Sequence, residues 1–177
     1  PIKSSAASDV YKRQEMDDIF ALAESRNESP FIVVCDSLED PHNLGAILRS
    51  AEAAGVHGVI IPKRNSVTLN YTVAKTSAGA IEYVPVVKVA NLPAAIDELK
   101  SRGVWIFGAD MDGTDYTALD YSGSIALVIG SEGKGIGRLV REKCDFIASL
   151  PMRGKINSLN ASVAAGILMF EAAKHRN

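Results

Sequence analysis

The chain has 177 residues, with 19 Lys plus Arg against 21 Asp plus Glu, 47% hydrophobic residues and a formal net charge of −2. A chain of this length buries roughly 70% of the surface its unfolded form exposes, so a single domain needs neither disulfides nor metal to hold a core. No run approaches the ~18 apolar residues of a membrane span, and the balance of charge excludes a uniformly basic nucleic-acid binder while leaving room for localised basic loops. Cys35 and Cys144 lie in or beside apolar stretches without metal-ligand spacing, and they read as buried small hydrophobes. With no signal peptide, the expectation is a cytoplasmic protein without membrane or metal partners.

In chain order, residues 4–14 read Ser-Ser-Ala-Ala-Ser-Asp-Val-Tyr-Lys-Arg-Gln, polar and unperiodic. They resemble the translation of a transposase-type sequencing adaptor, so residues 1–14 are expected to be non-native and are set aside. Without them 16 basic and 20 acidic residues remain, a mildly acidic body. Residues 15–30 are expected to be a linker from a missing N-terminal domain. Within them Ile19, Phe20, Leu22 and Ala23 have helical spacing, and Arg26-Asn27-Glu28-Ser29 reads as a hinge.

The domain proper is expected over residues 31–177. Apolar strand runs at 31–35, 59–61, 84–89, 104–107, 125–129 and 146–150 alternate with helical periods at 44–54, 92–100, 138–143 and 160–174. Continuous short apolar strands separated by helices imply an α/β fold, a mainly parallel sheet covered on both faces. In such sheets ligands bind beyond the carboxyl ends of the strands, and the polar loops at 36–45, 130–137 and 151–160 fall there.

These loops exclude several chemistries. A phosphate-binding P-loop would need Gly where the chain has Val128 and Ser or Thr where it has Gly135. The dinucleotide fingerprint fails because Arg138 stands where its third Gly belongs. There is no Gly-x-Ser-x-Gly elbow, and His42, His57 and His175 are isolated, so each reads as a solvated or satisfied histidine. Glycines 130, 133 and 135 fit a tight strand-to-helix turn, and Glu132 among their amides suits a hydrogen-bonding role. Arg49 taken singly reads as a solvated helix face, and Asn160 as a cap for the last helix.

Asn43-Leu44-Gly45-x-x-x-Arg49, then Ile129-Gly130-Ser131-Glu132-Gly133-x-Gly135, then Leu150-Pro151-Met152 followed by Ser158-Leu159-Asn160-Ala161-Ser162-Val163, resemble the three ordered motifs of the SpoU/TrmH family of RNA ribose 2′-O-methyltransferases. The resemblance spans the whole body, and the stretches 40–45 and 55–63 look closest to the branch that methylates a guanosine of 23S ribosomal RNA. It implies a C-terminal deep trefoil knot, which the general rarity of knots would never suggest. It also implies S-adenosylmethionine held by Gly130, Leu150, Met152 and Leu159, and a catalytic set of Arg49, Asn43, Glu132, Ser158 and Asn160. The implied partners are RNA and a second copy of the chain in a homodimer. A tRNA target within the same family, or a catalytically silent RNA-binding domain, are the alternatives. Basic residues at 63–64, 134, 138, 141, 143, 153 and 155 flank the motif loops and would supply a local RNA track.

Overall fold

The computed structural model describes residues 14–64 and 69–176; nearly all of the segment read as adaptor sequence lies outside the described residues. Six strands form one parallel sheet in the order β3-β2-β1-β5-β4-β6, where β1 is Phe31–Cys35, β2 Gly58–Pro62, β3 Val86–Val89, β4 Trp105–Asp115, β5 Ile125–Ile129 and β6 Phe146–Ser149. The helices are α1 Met16–Ser25, α2 Pro41–Ala54, α3 Tyr71–Thr76, α4 Leu92–Ser101, α5 Arg138–Lys143 and α6 Ala161–Ala173. The two central strands, β1 and β5, pair from Phe31 with Ile125 to Cys35 with Ile129, and every residue of both is buried.

Alternation along these strands builds two cores. Phe31, Val33 and Cys35 face Leu44, Ile47, Leu48 and Ala51 of α2, Val73 of α3 and Ala165, Leu168 and Met169 of α6. Ile32 and Val34 face Met16 and Ile19 of α1, Ile96 and Leu99 of α4 and Val140 of α5. The helix expected over 15–29 therefore packs on the sheet: Ile19 is fully buried, and a Cβ on Gly58 of β2 would stand 2.3 Å from its Cγ1. Burial pushes the Cys35 thiol up to about 12 and that of Cys144 to about 11, so both stay protonated and inert at neutral pH.

Three features go beyond the sequence reading. Helix α3 has only six residues and one buried side chain, Val73, too little periodicity to register in a pattern. Strand β4, expected over 104–107, runs on to Asp115 because its pairing with β6 is interrupted and resumes. Both Ala109 and Thr114 pair with Ala148, so residues 110–113 loop out of the ladder. The turn needs glycine at 113, where a Cβ would meet the Ile147 carbonyl oxygen at 2.4 Å.

The amino end of the sheet is stapled. His57, fully buried, accepts the Phe31 N–H at Nδ1 (2.9 Å), and its backbone N–H donates to the Phe31 carbonyl (2.7 Å). Arg176 donates to the Gly123 carbonyl (2.8 Å) and to that of Ser29, with its guanidinium 4.8 Å from the centre of the Phe31 ring. One side chain thus ties the C-terminal segment to the start of β1 and the approach to β5.

Candidate functional site

Because all six strands run the same way, the loops after β1, β5 and β6 open on the opposite end of the sheet. Helix α2 starts there under an Asp40 cap that accepts the His42 N–H (2.9 Å), with Pro41 at its first turn and Asn43 beside the loop after β5. Gly45 of the first motif has a packing reason: a Cβ there would lie 1.7 Å from the Thr76 hydroxyl of α3. Helix α6 starts beside α2 at the same edge, capped by Asn160, whose Oδ1 accepts the N–H groups of Ser162 (3.0 Å) and Val163 (3.2 Å).

The cap fixes the amide. With Oδ1 used on the helix, Nδ2 of Asn160 points away and donates to Glu132 Oε1 (2.6 Å) and Asn43 Oδ1 (3.1 Å). Glu132 Oε1 also accepts the Ala161 N–H (3.2 Å) and, at 3.5 Å, Asn43 Nδ2. Three motifs far apart in the chain meet at one carboxylate oxygen, close to the N-terminal end of α6, where a negative charge is favoured. Glu132 rides on a glycine hairpin in which the Gly135 N–H donates to the Ser131 carbonyl (2.9 Å), with Gly133 and Gly135 at φ +79° and +66°. Gly130 is required for this reversal, since a Cβ would strike the Gly135 carbonyl carbon at 2.1 Å.

The hairpin is the wall between two cavities. One, of about 480 Å³, is lined by Gly130, Leu150, Met152, Ser158 and Leu159 together with Ala109, Asp110, Met111, Ala161 and Ala164. The other, of about 640 Å³, is more polar and is lined by Asp36, Ser37, Glu39, Asp40 and Asn43, with Ser131, Glu132 and Lys134 common to both. All four residues expected to hold a cofactor line the first cavity, along with Ser158. Asn43, Glu132 and Asn160 form the bonded cluster between the two. Arg49 stands apart: it is exposed on α2, lines neither cavity and makes no hydrogen bond or ion pair among the described residues.

The family assignment follows from comparison with known proteins. The SpoU rRNA Methylase family matches residues 30–170. The chain belongs to this family. The Bacillus subtilis protein YacO, named as a TrmH family tRNA/rRNA methyltransferase, is 55% identical over 169 residues, covering 95% of this chain and 68% of its own length. Among solved structures, the SpoU methyltransferase AviRb from Streptomyces viridochromogenes, known also in complex with AdoMet, superposes with a TM-score of 0.78 at 30% identity over 83% of this chain and 60% of AviRb. The TrmH/SpoU tRNA modifying enzyme of A. aeolicus gives 0.75 at 26% identity over 97% and 81%. The SpoU-family chain described here therefore spans about two thirds of the length of its B. subtilis relative and less of AviRb.

Two site residues escaped sequence reasoning. Asp36 follows β1 and is nearly buried; its Oδ2 accepts the Gly137 N–H (2.7 Å) and its Oδ1 the Ser37 hydroxyl (3.0 Å), so it anchors the far end of the glycine loop. The signal was its place directly after a central strand, shared with too many other polar residues to single it out. Asp110 sits in the loop-out of β4, which no pattern foretold. Among the described residues no group of three His, Cys, Asp or Glu is placed to hold a metal ion, and no helix is long and apolar enough to cross a membrane.

Proposed function

We propose that this SpoU-family domain transfers a methyl group from S-adenosylmethionine to a ribose 2′-hydroxyl of structured RNA, with a guanosine of 23S ribosomal RNA as the target. The observation that carries the reading is the Asn43–Glu132–Asn160 cluster on a wall shared by an apolar and a polar cavity. The first cavity has the size of a small-molecule site, with Leu150, Met152, Leu159 and Ala164 as apolar walls for an adenine and backbone groups of the Gly130 loop for its polar edge. Bound there, the cofactor supplies a methyl group on a sulfonium. The polar cavity beyond the hairpin then receives the nucleotide, so that the two reactants approach across Ser131 and Glu132.

The residues divide the work by their chemistry. The hydrogen-bonded cluster keeps Glu132 fixed through three donors, which holds the wall and orders both cavity mouths. Arg49, whose guanidinium only donates hydrogen bonds, grips a phosphate beside the target or offsets charge developing on the ribose oxygen. Its exposure and its lack of partners among the described residues suit it to RNA. Lys63, Arg64, Lys134, Arg153 and Lys155 extend that contact. In the same reading Leu150 to Leu159 is the threaded part of the family's trefoil knot, and the protein works as a cytoplasmic homodimer, with Val163 and Phe170 of α6, about half exposed in the single chain, covered by a second copy.

Mapping 2′-O-methyl groups in ribosomal and transfer RNA after expression in a methylation-deficient host tests the target. A new methyl on a 23S guanosine is expected. A tRNA methyl instead would move the substrate within the family, and binding of RNA without any new methyl would make this a silent binding domain.

A further inference from the structure

Asp110 plays no part in the reading above, yet it lines the apolar cavity. It is the first residue of the 110–113 loop-out, which carries it off the β4–β6 ladder and over the cavity. Its side chain is 22% exposed, and its Oδ2 lies 2.5 Å from Nη1 of Arg141 on α5, whose guanidinium also reaches the Met111 carbonyl. Its Oδ1 accepts one hydrogen bond, from the Met111 N–H at 2.8 Å. A Cβ on Gly135 would stand 3.2 Å from that same oxygen, so the absence of a side chain at 135 keeps it uncovered.

A carboxylate oxygen has room for at least two hydrogen bonds, and among the described residues Asp110 Oδ1 accepts one. Glu132, by contrast, already receives three donors on one oxygen. A ligand that fills the cavity strips water from Asp110 Oδ1, and such an acceptor costs free energy unless the ligand returns a donor. S-adenosylmethionine carries donors of three kinds: the adenine amino group, the ribose hydroxyls and the α-ammonium.

We propose that Asp110 is a cofactor anchor: Oδ1 accepts a hydrogen bond from an O–H or N–H donor of S-adenosylmethionine, while Arg141 holds Oδ2 and aims the carboxylate into the cavity. The inference rests on the reading that this cavity is the cofactor site. In Asp110→Asn the guanidinium retains the amide oxygen and turns the NH₂ toward the ligand, setting donor against donor.

Calorimetry on the full chain, without RNA, tests the anchor. Asp110→Asn is expected to weaken binding of S-adenosylmethionine and S-adenosylhomocysteine alike, by about tenfold, as one charge-assisted hydrogen bond is lost. Arg141→Gln is expected to weaken both by less than about threefold. Methylthioadenosine, which keeps the nucleoside and lacks the amino acid, locates the donor: weakened binding puts it on the adenine amine or the ribose, unchanged binding on the ammonium, and either supports the anchor. Equal losses in the two single variants with no further loss in the double would reduce Asp110 to a latch between β4 and α5 and overturn the proposal, as would unchanged binding in Asp110→Asn. Leu159→Asp, which puts a charge on the cavity's apolar wall, separates the two levels. Loss there with normal binding in Asp110→Asn rejects only the anchor; normal binding in Leu159→Asp rejects the cavity as the cofactor site.

Discussion

The two ends of the sheet use polar groups in opposite ways. At the amino end, His57 through Nδ1 and Arg176 through its guanidinium make hydrogen bonds in a buried or half-buried setting, and each joins segments distant in the chain, while His57 Nε2 is buried 3.7 Å from Glu28 without a hydrogen bond among the described residues. At the carboxyl end Asp36 is buried and bonded to the glycine loop, but Asn160 and Glu132 are exposed, Arg49 has no partner among the described residues, and the bonds that join the three motifs converge on one oxygen beside open cavities. A polar group surrounded by protein stabilises the fold because leaving it unpaired is costly; one facing water gains little stability from its bonds and stays available to a ligand. On the proposed function, the amino end serves stability and the exposed groups of the carboxyl end serve chemistry.

Substitutions that should separate the two ends follow, from the largest effect to the smallest. Arg49→Ala is expected to lower methylation at least a hundredfold, roughly 2.7 kcal/mol of barrier, with cofactor affinity within twofold and the melting temperature unchanged. Retained turnover in a methyl-transfer assay removes Arg49 from the reaction. Arg176→Ala should do the reverse and cost about 2 kcal/mol of stability in urea titration, through two lost charge-assisted bonds and the ring contact, with KM for the cofactor unaltered. A shift in KM with unaltered stability would erase the contrast between the ends. Glu132→Gln keeps an acceptor for Asn160 and Ala161 but removes the charge, so it should reduce kcat about tenfold at near-constant stability; a loss above about 1 kcal/mol would make Glu132 a structural group instead.

The smallest effect concerns pH. Burial holds the His57 pKa below its ordinary value of 6.5, with Glu28, 3.7 Å from Nε2, opposing the shift only in part. The unfolded chain therefore binds a proton at His57 before the folded chain does. The stability from the neutral imidazole is whole above about pH 6.5 and declines as the pH falls below it. His57→Gln should flatten that part of the stability profile relative to the parent chain, and identical slopes between about pH 6.5 and 5 would show that His57 does not contribute it.

How much was legible depends on what each element's signal consists of. The central strands were readable because Phe31–Cys35 and Ile125–Ile129 are apolar at every position, the pattern of strands buried on both faces. Helix α4 was readable from Ala95, Ile96 and Leu99 at helical spacing, and the Asn160 cap from its residue type ahead of an apolar helix. The contacts of Asn160 with Asn43 and Glu132, at separations of 117 and 28 residues, have no local signature; only the resemblance grouped those residues. Residues 110–113 carried no reading, because a loop-out that lets a strand resume its pairing depends on the neighbouring strand.

The sequence by itself determined an α/β chain with a buried parallel sheet, polar loops at one edge and three motifs of a methyltransferase family, since hydrophobic periodicity and residue type are local properties. The tertiary structure decided which of the polar residues meet. It set Asn43, Glu132 and Asn160 around one oxygen, left Arg49 outside both cavities, closed the amino end with Arg176, and turned Asp110 toward the apolar cavity. Hydrogen bonds and ion pairs reach only a few ångströms, so which pairs form is fixed by how sheet and helices bring distant segments together.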